Sequence, residues 1–275
     1  RILLGALTGA ALSVAGAIFQ ALLRNDLAAP FTLGVSSGAA LGAVIAIALN
    51  LHVSLLGLPM VPLFAFLGSL GAIILVFSLV RSRHGEFPTG VLLLAGVTAN
   101  FFFAAMVMFI HYLADFGQSF RIIHWLMGGL DITNYKTVLS IFPMVFLGTF
   151  ILMIISRDLN LISTGIHSAS SRGVNVPRIQ KVGFITASLM TGTVVATSGP
   201  IGFVGLIVPH IVRLFVGPDL RILIPACMLF GASFLVACDT LARMLLAPTE
   251  IPVGIITAIL GGPFFVWLLK RKRQV

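Results

Sequence analysis

The residues of this chain whose types could do chemistry are few and dispersed. Only eight of its 275 residues are acidic. Asp239 and Arg243 lie four apart inside an apolar block, so on a helix they share a face and can pair, and Glu250 follows shortly after. Charges in apolar blocks are expensive and usually functional. Three readings stand side by side: a structural pair, a docking point for a partner, and a proton relay. Arg243 falls near the end of its block, which weakens the relay. The six histidines, His52, His84, His111, His124, His167 and His210, include no pair at the i, i+4 spacing that presents two imidazoles to one metal. His111 and His124 flank Asp115, where they could touch a metal chelate. His84 and His167 sit in polar loops, and His210 follows Pro209, where a hydrogen bond to backbone freed by the proline is expected. Cys227 and Cys238 lie in apolar stretches and read as small hydrophobes, without zinc spacing. None of the four lysines sits in a G-x-x-x-x-G-K-[ST] frame, so no phosphate-cradling loop of that kind is present. No H-E-x-x-H frame and no nucleophile–histidine–acid set is found either. The chain is not expected to be an enzyme.

The elements that hold these residues are written in the composition. The chain is 59% hydrophobic and 9% charged, with a mean hydropathy of +1.12, whereas soluble chains carry about 25% charged residues. Nine apolar blocks of membrane scale follow one another: 3–23, 34–51, 62–80, 91–113, 135–155, 179–198, 201–216, 223–246 and 251–269. Lipid offers no hydrogen bonds to backbone, so each is predicted to be a helix. A barrel needs alternating segments of about ten residues, and these are absent from the sequence. The seventh block is short and contains Pro209, as a half-helix buried among others would. Gly34, Gly38 and Gly42, and likewise Gly5 and Gly9, repeat every fourth residue, a spacing that lets helix backbones approach closely.

The net charge of +9 points to a membrane surface rather than to nucleic acid. With the C-terminal Lys270-Arg271-Lys272-Arg273 placed in the cytoplasm, alternating spans put Arg24, Arg81, Arg83, Arg157, Arg172, Arg178, Lys181, Arg213 and Arg221 on that side. Only Arg1, Arg121, Lys136 and Arg243 fall on the other. Thirteen basic residues against four is the asymmetry expected across a membrane. Nine spans put Arg1 outside, and a preceding helix is expected. Two segments neither span nor turn tightly. Residues 115–133 are predicted to form an amphipathic helix on the outer surface with Trp125 at the interface. Residues 158–181 carry a weak apolar stripe, readable as a solvated linker or as a docking element for a cytoplasmic partner.

One string is specific enough to suggest a family: Gly9-x-x-Leu12-x-x-x-Gly16-x-x-x-Gln20-x-x-x-Arg24-Asn25-x-Leu27-Ala28-x-Pro30-x-x-x-Gly34-Val35-Ser36-Ser37-Gly38-Ala39. Three more stretches agree: Leu92 to Val97, Gly199 to Arg213, and Asp239-x-x-Ala242-Arg243 with Glu250-x-Pro252-x-Gly254 and Gly261 to Phe265. In order and over essentially the whole chain, these resemble the permeases of iron–siderophore, haem and vitamin B12 importers, the FecCD family of ATP-binding-cassette (ABC) transporters.

The resemblance implies an all-α polytopic membrane protein, residues 1–275 forming a single permease domain. Its fold is the ten-helix type II importer fold, the first helix missing and about nine present. It implies an inner, cytoplasmic-membrane location with the C-terminus in the cytoplasm. The expected function is to move a metal chelate or cobalamin inward. Expected partners are a second permease copy, two cytoplasmic ATPase subunits and an external substrate-binding protein. No cofactor is expected on this chain, ATP and magnesium belonging to the ATPase. By resemblance the inner gate falls on Asn25, Thr89 and Gly90. ATPase coupling falls on residues 160–174 (Leu161, Ser163, Gly165, Ile166, Ala169 and Gly173), and binding-protein docking on Arg1 and Arg243. The chain departs from the family at Asp26, where proline is usual, and at Ser163-Thr164-Gly165-Ile166-His167, where acidic residues are common. The runner-up, an ion-coupled secondary transporter, predicts paired acids at mid-membrane, and these are nearly absent from the apolar blocks.

Overall fold

A computed structural model describes residues 1–51, 54–55, 58–80, 89–131 and 135–272, with backbone alone at 54–55, 58, 80, 89, 267–269, 271 and 272. His52, Arg81, Arg83, His84, Thr133 and Arg273 lie outside the described residues. Twelve helices are seen among the described residues. They are α1 (Ile2–Leu23), α2 (Val35–Ala48), α3 (Met60–Val80), α4 (Thr89–Leu113), α5 (Phe116–Leu126), α6 (Tyr135–Ile154), α7 (Ser156–Thr164), α8 (Ile166–Ser171), α9 (Val176–Ser198), α10 (Val204–Val216), α11 (Leu220–Met244) and α12 (Val253–Lys272). A 3₁₀ turn at Pro30–Leu33 precedes α2, and a two-residue antiparallel ladder pairs Ser54–Leu55 with Leu58–Pro59. This ladder is not among the elements predicted above.

All nine apolar blocks fold as helices, and six (α1, α3, α4, α6, α9 and α11) are long and apolar enough to cross a membrane. α2 and α10 are shorter than predicted. Left-handed residues trim both: Gly34 (φ 82°) and Asn50 (φ 50°) bracket α2, and Gly199 (φ 66°) and Phe203 (φ 67°) delay the start of α10 to Val204.

α1 is the axle of the bundle. Nearly every residue from Leu4 to Leu23 is buried, and the helix packs against α11, α9, α10 and α6. Its small residues make this possible. A side chain on Gly9 would run into the Gly231 carbonyl of α11, and one on Gly16 into the Gly205 carbonyl of α10. Ser13 lies between them and donates to the Cys227 carbonyl at 2.7 Å. α1 and α11 therefore run antiparallel with backbones almost touching, as small-residue spacing allows in lipid. The same device joins α2 to α3, where Gly38 meets Gly68 and Gly42 meets the Phe64 carbonyl. Several hydroxyls inside the spans turn back onto their own helices, as at Thr191→Ala187 (2.9 Å) and Ser198→Val194 (2.8 Å), and so expose no polar group to lipid, whereas the hydroxyls of Thr8 and Ser188 are buried with no partner among the described residues.

α1 is about 33 Å long at 1.5 Å per residue, so Arg1 and Arg24 mark opposite ends of the bundle. At the Arg1 end, α5 lies across the helix ends as expected. Asp115 and Gln118 form a capping box; Gln118 also donates to the Ala48 carbonyl (3.0 Å) and Arg121 to Asn50 (2.7 Å). Ile122 is buried beneath it, while Phe116, Phe120 and Ile123 stay exposed. α12 starts at this end, with Gly254 N–H donating to the Gly128 carbonyl, and its length returns Lys270 to the Arg24 end. Arg24, Arg157, Arg172, Arg178, Arg213, Arg221 and Lys270 thus share one end, and Arg1, Arg121, Lys136 and Arg243 the other, in the expected division.

The glycine contacts predict a contrast. Gly16→Ala should lower the thermal midpoint of the purified protein, because the added methyl meets a backbone carbonyl that cannot rotate away; overpacking of this kind costs about 1–3 kcal/mol. Gly71→Ala in α3, where nothing lies within 4 Å, should leave the midpoint unchanged or raise it.

Candidate functional site

The Arg1 end carries a charge cluster. The Arg1 guanidinium meets Asp131 (3.2 Å), Asp239 (3.2 Å) and Glu250 (2.6 Å). Asp239, one turn before Arg243, also pairs with that arginine, whose Nε lies 3.3 Å from its carboxylate and donates to its backbone carbonyl at 3.4 Å. Its carboxylate is almost fully buried and sits between the two cations. The expected Asp239–Arg243 pair is therefore present, and Arg1 joins it from α1. Arg1 is held by its own chain, which binds α1, the 131 region, α11 and the segment before α12 together. The Arg243 side chain remains more than a third exposed.

The Arg24 end carries the predicted gate and coupling residues. α1 ends at Arg24, in the left-handed region, and the chain turns through Asn25. The Asn25 side chain accepts the Leu27 N–H (2.9 Å) and its carbonyl accepts the Ala28 N–H (3.0 Å), a local asparagine turn. Asp26 accepts from Arg213 Nη1 at 2.8 Å, while Arg213 Nη2 donates to Gln20 at 2.9 Å. Thr89 and Gly90 open α4; Gly90 is exposed, and a side chain there would meet nothing within 4 Å among the described residues.

Of the stretch 160–174 expected to be helical, 160–164 and 166–171 are so, with a break at Gly165 and a turn at 172–173. α7 and α8 are separated by Gly165 and pack as a pair. Ile162 of α7 and Ala169 of α8 are buried in one cluster with Val176, the first residue of α9, and Leu161 and Ile166 pack alongside. Ala169 is wholly buried, so it supports the pair. Ser163, Thr164, His167, Ser168 and Gly173 are exposed. Gly173 adopts φ 83° and closes α8. Asn160 reaches α11: its Nδ2 donates to Asp219 (2.6 Å) and its Oδ1 accepts the Leu220 N–H (2.9 Å). The Arg221 guanidinium and backbone N–H, together with Asn160, hold the Asp219 carboxyl well below the usual carboxylate range.

Between the two ends lies a cavity of about 500 Å³, walled by α2, α4, α5 and Pro200. It runs from Ile123, Leu126, His111 and Tyr112 to Ser36, Ser37 and Phe31. His111 thus lines the cavity, while His124 stacks with Phe120 on α5. The walls are otherwise Ala40, Ala104, Val107 and Met108. Ser37 donates to Asn100 (2.6 Å), and Asn100 donates to the Phe31 carbonyl (2.9 Å), fixing α4 on the turn before α2. No group of three metal-ligating side chains occurs among the described residues. The arrangement can pass or hold a bulky, largely apolar-surfaced molecule. Asn100 was missed by sequence reasoning; Gln20 and Arg213 stand in the family strings and Asn160 opens the segment 160–174, but none of the three was assigned the contact it makes.

Comparison with known proteins agrees with this geometry. The FecCD transport family matches residues 1–271. The chain is 44% identical over 276 residues to the cobalamin import system permease BtuC of Halobacterium salinarum, covering 100% of this chain and 72% of that protein. It is 41% identical over 276 residues to the hemin transport permease HmuU of Yersinia pestis, covering 100% and 82%. A solved inward-facing structure of a metal-chelate type ABC transporter superposes with a TM-score of 0.89 at 33% identity, covering 98% of this chain and 85% of that one. With its sequence matched almost end to end and its helices superposing on such a permease, the chain belongs to the FecCD transport family.

Proposed function

We propose that the chain is one of two like permease subunits of an ABC importer. It would carry a metal chelate (a ferric siderophore or haem) or cobalamin inward across the cytoplasmic membrane. The observation that carries this reading is the apolar cavity between α2, α4 and α5 in a chain matched over its whole length by an importer family. The relatives named for cobalamin and hemin support the cargo class. The cavity's poverty in ligating groups suits a subunit whose cargo is selected by another protein. The excess of basic residues at the Arg24 end supports placing that end and the C-terminus in the cytoplasm. The chain binds no cofactor in this reading; ATP and magnesium reside on a separate ATPase.

Its test is uptake. Proteoliposomes holding the permease, its ATPase and its binding protein should take up ferric hydroxamate siderophore, haemin or cyanocobalamin only with ATP inside. Uptake driven by an ion gradient without ATP would overturn the reading.

The inner gate in this reading is the Asn25 turn, opposed by Thr89 and Gly90 at the start of α4. The coupling element is the α7–α8 pair, whose exposed Ser163, Thr164 and His167 face the ATPase over a base formed by Leu161, Gly165, Ile166, Ala169 and Gly173. His167→Glu should weaken ATPase capture in a pull-down from detergent while leaving the permease folded; capture at wild-type strength would remove α7–α8 from the interface.

At the other end Arg243 offers its planar fork to carboxylates of the binding protein, and Arg1 holds the cluster from beneath. A wet-rim pair is worth about 0–1 kcal/mol and is screened by salt. Arg243→Glu should therefore reduce binding-protein affinity up to about fivefold at low salt, with the difference shrinking as salt is added. Equal affinity at low salt would return Arg243 to a purely internal partner of Asp239.

A further inference from the structure

Two polar clamps stand side by side at the Arg24 end. In the first, Asn160 of α7 uses both ends of its amide on the start of α11, donating to Asp219 and accepting the Leu220 N–H. In the second, Arg213 in the last turn of α10 uses two guanidinium nitrogens, one on Asp26 of the turn after α1 and one on Gln20 of α1 itself. Only Gly217, Pro218 and Asp219 separate the end of α10 from the start of α11. The clamps also share a wall. Gln20, Arg24, Asp26, Ser163, Arg213 and Leu220 line one cavity of about 250 Å³.

A continuous set of contacts therefore runs from α7 through Asn160 to Asp219, across the short link to α10, and through Arg213 to the Asn25–Asp26 turn. Each joint resists shear. Asn160 is engaged in two directions. The Arg213–Asp26 bond is charge-assisted, with the arginine side chain three-quarters buried. Gly217, at φ 81°, gives the link a bend that L side chains rarely adopt. Gln20 adds a sign of a second arrangement. It is 3% exposed and its Nε2 has no acceptor among the described residues, an unfavourable state for a buried amide. Because Gln20 and Asp26 hang on the same guanidinium, a shift of Arg213 re-sorts both.

We propose that Arg213 is the positioning residue through which displacement of α7 reaches the turn at Asn25–Asp26, with Asn160 fixing α7 to the link that moves it. The proposal rests on α7 as the ATPase contact and names the route from there.

The test uses the complete importer in proteoliposomes, with ferric hydroxamate siderophore, haemin and cyanocobalamin as probes. It reads ATP hydrolysed, probe taken up and ATPase retained on the permease. Asn160→Ala and Arg213→Gln should each retain the ATPase and hydrolyse ATP, yet lower uptake per ATP by roughly fivefold or more. The double variant should fall little below the worse single one, since residues on one route do not add. The exchange Asp26→Arg with Arg213→Asp should restore much of the ratio, because an aspartate at 213 can also accept from Gln20. An unchanged ratio in both single variants, additive losses in the double, or an assembled exchange variant with no recovery would each overturn the route. A Thr164→Cys variant that forms no cross-link to the ATPase subunit would overturn the docking of α7 instead, and the route's starting point with it. An unchanged ratio in variants whose Thr164→Cys counterpart does cross-link removes the route alone.

Discussion

The bundle depends on one constraint: in lipid, helices gain nothing from hiding apolar surface from one another, because the solvent is itself apolar. Association must come from close packing and from polar contacts, and α1 is built for both. Gly9 and Gly16 remove the side chains that would hold α11 and α10 away, and Ser13 places a hydrogen bond in the seam between them. Once α1 is enclosed in this way its two ends become fixed points. Arg1 gathers three carboxylates at one end, and the turn after Leu23 is held by Arg213 at the other. The polar ends are ordered because the apolar middle is close-packed.

Polar chemistry is sorted accordingly by depth. Several hydroxyls within the spans, such as Thr191 and Ser198, satisfy carbonyls of their own helices, whereas most charged side chains sit at the two ends. Asp239 is the instructive case. Its carboxylate is nearly inaccessible, and burial of such a group is tolerable only because two guanidiniums flank it. The space between α2, α4 and α5 has no comparable set of charges. It is lined instead by aliphatic side chains, the rings of Phe31 and Tyr112, the hydroxyls of Ser36 and Ser37 and one imidazole.

The helical blocks were legible because composition alone decides them, and the Gly34–Gly38–Gly42 spacing announced the seam that Gly38 and Gly42 make with α3. The apolar residues between Asp115 and Thr133 made α5 legible as an amphipathic helix, but not its Asp115–Gln118 capping box. Other features were hidden for physical reasons. The Arg213–Asp26 contact joins residues 187 apart and Asn160–Asp219 joins residues 59 apart; no local pattern reports either. The late start of α10 turns on Phe203 adopting a left-handed conformation, which a bulky aromatic residue rarely does. Arg1 illustrates a further limit. Its type suggested an outward-facing cation, and only the fold brings Asp131, Asp239 and Glu250 around it.

The brevity of α2 and α10 decides what must cover the backbone beside them. With 14 and 13 residues they extend about 21 and 20 Å, well short of the roughly 30 Å of a hydrocarbon core. Backbone that is not helical at membrane depth is tolerated only where protein covers it or where it lines a cavity. The chain before each helix meets that condition: Pro30 and Leu33 before α2 and Gly199 and Ile201 before α10 are buried, and Pro200 lines the cavity. These two stretches are therefore shielded from lipid by their neighbours rather than by hydrogen bonds of their own helices.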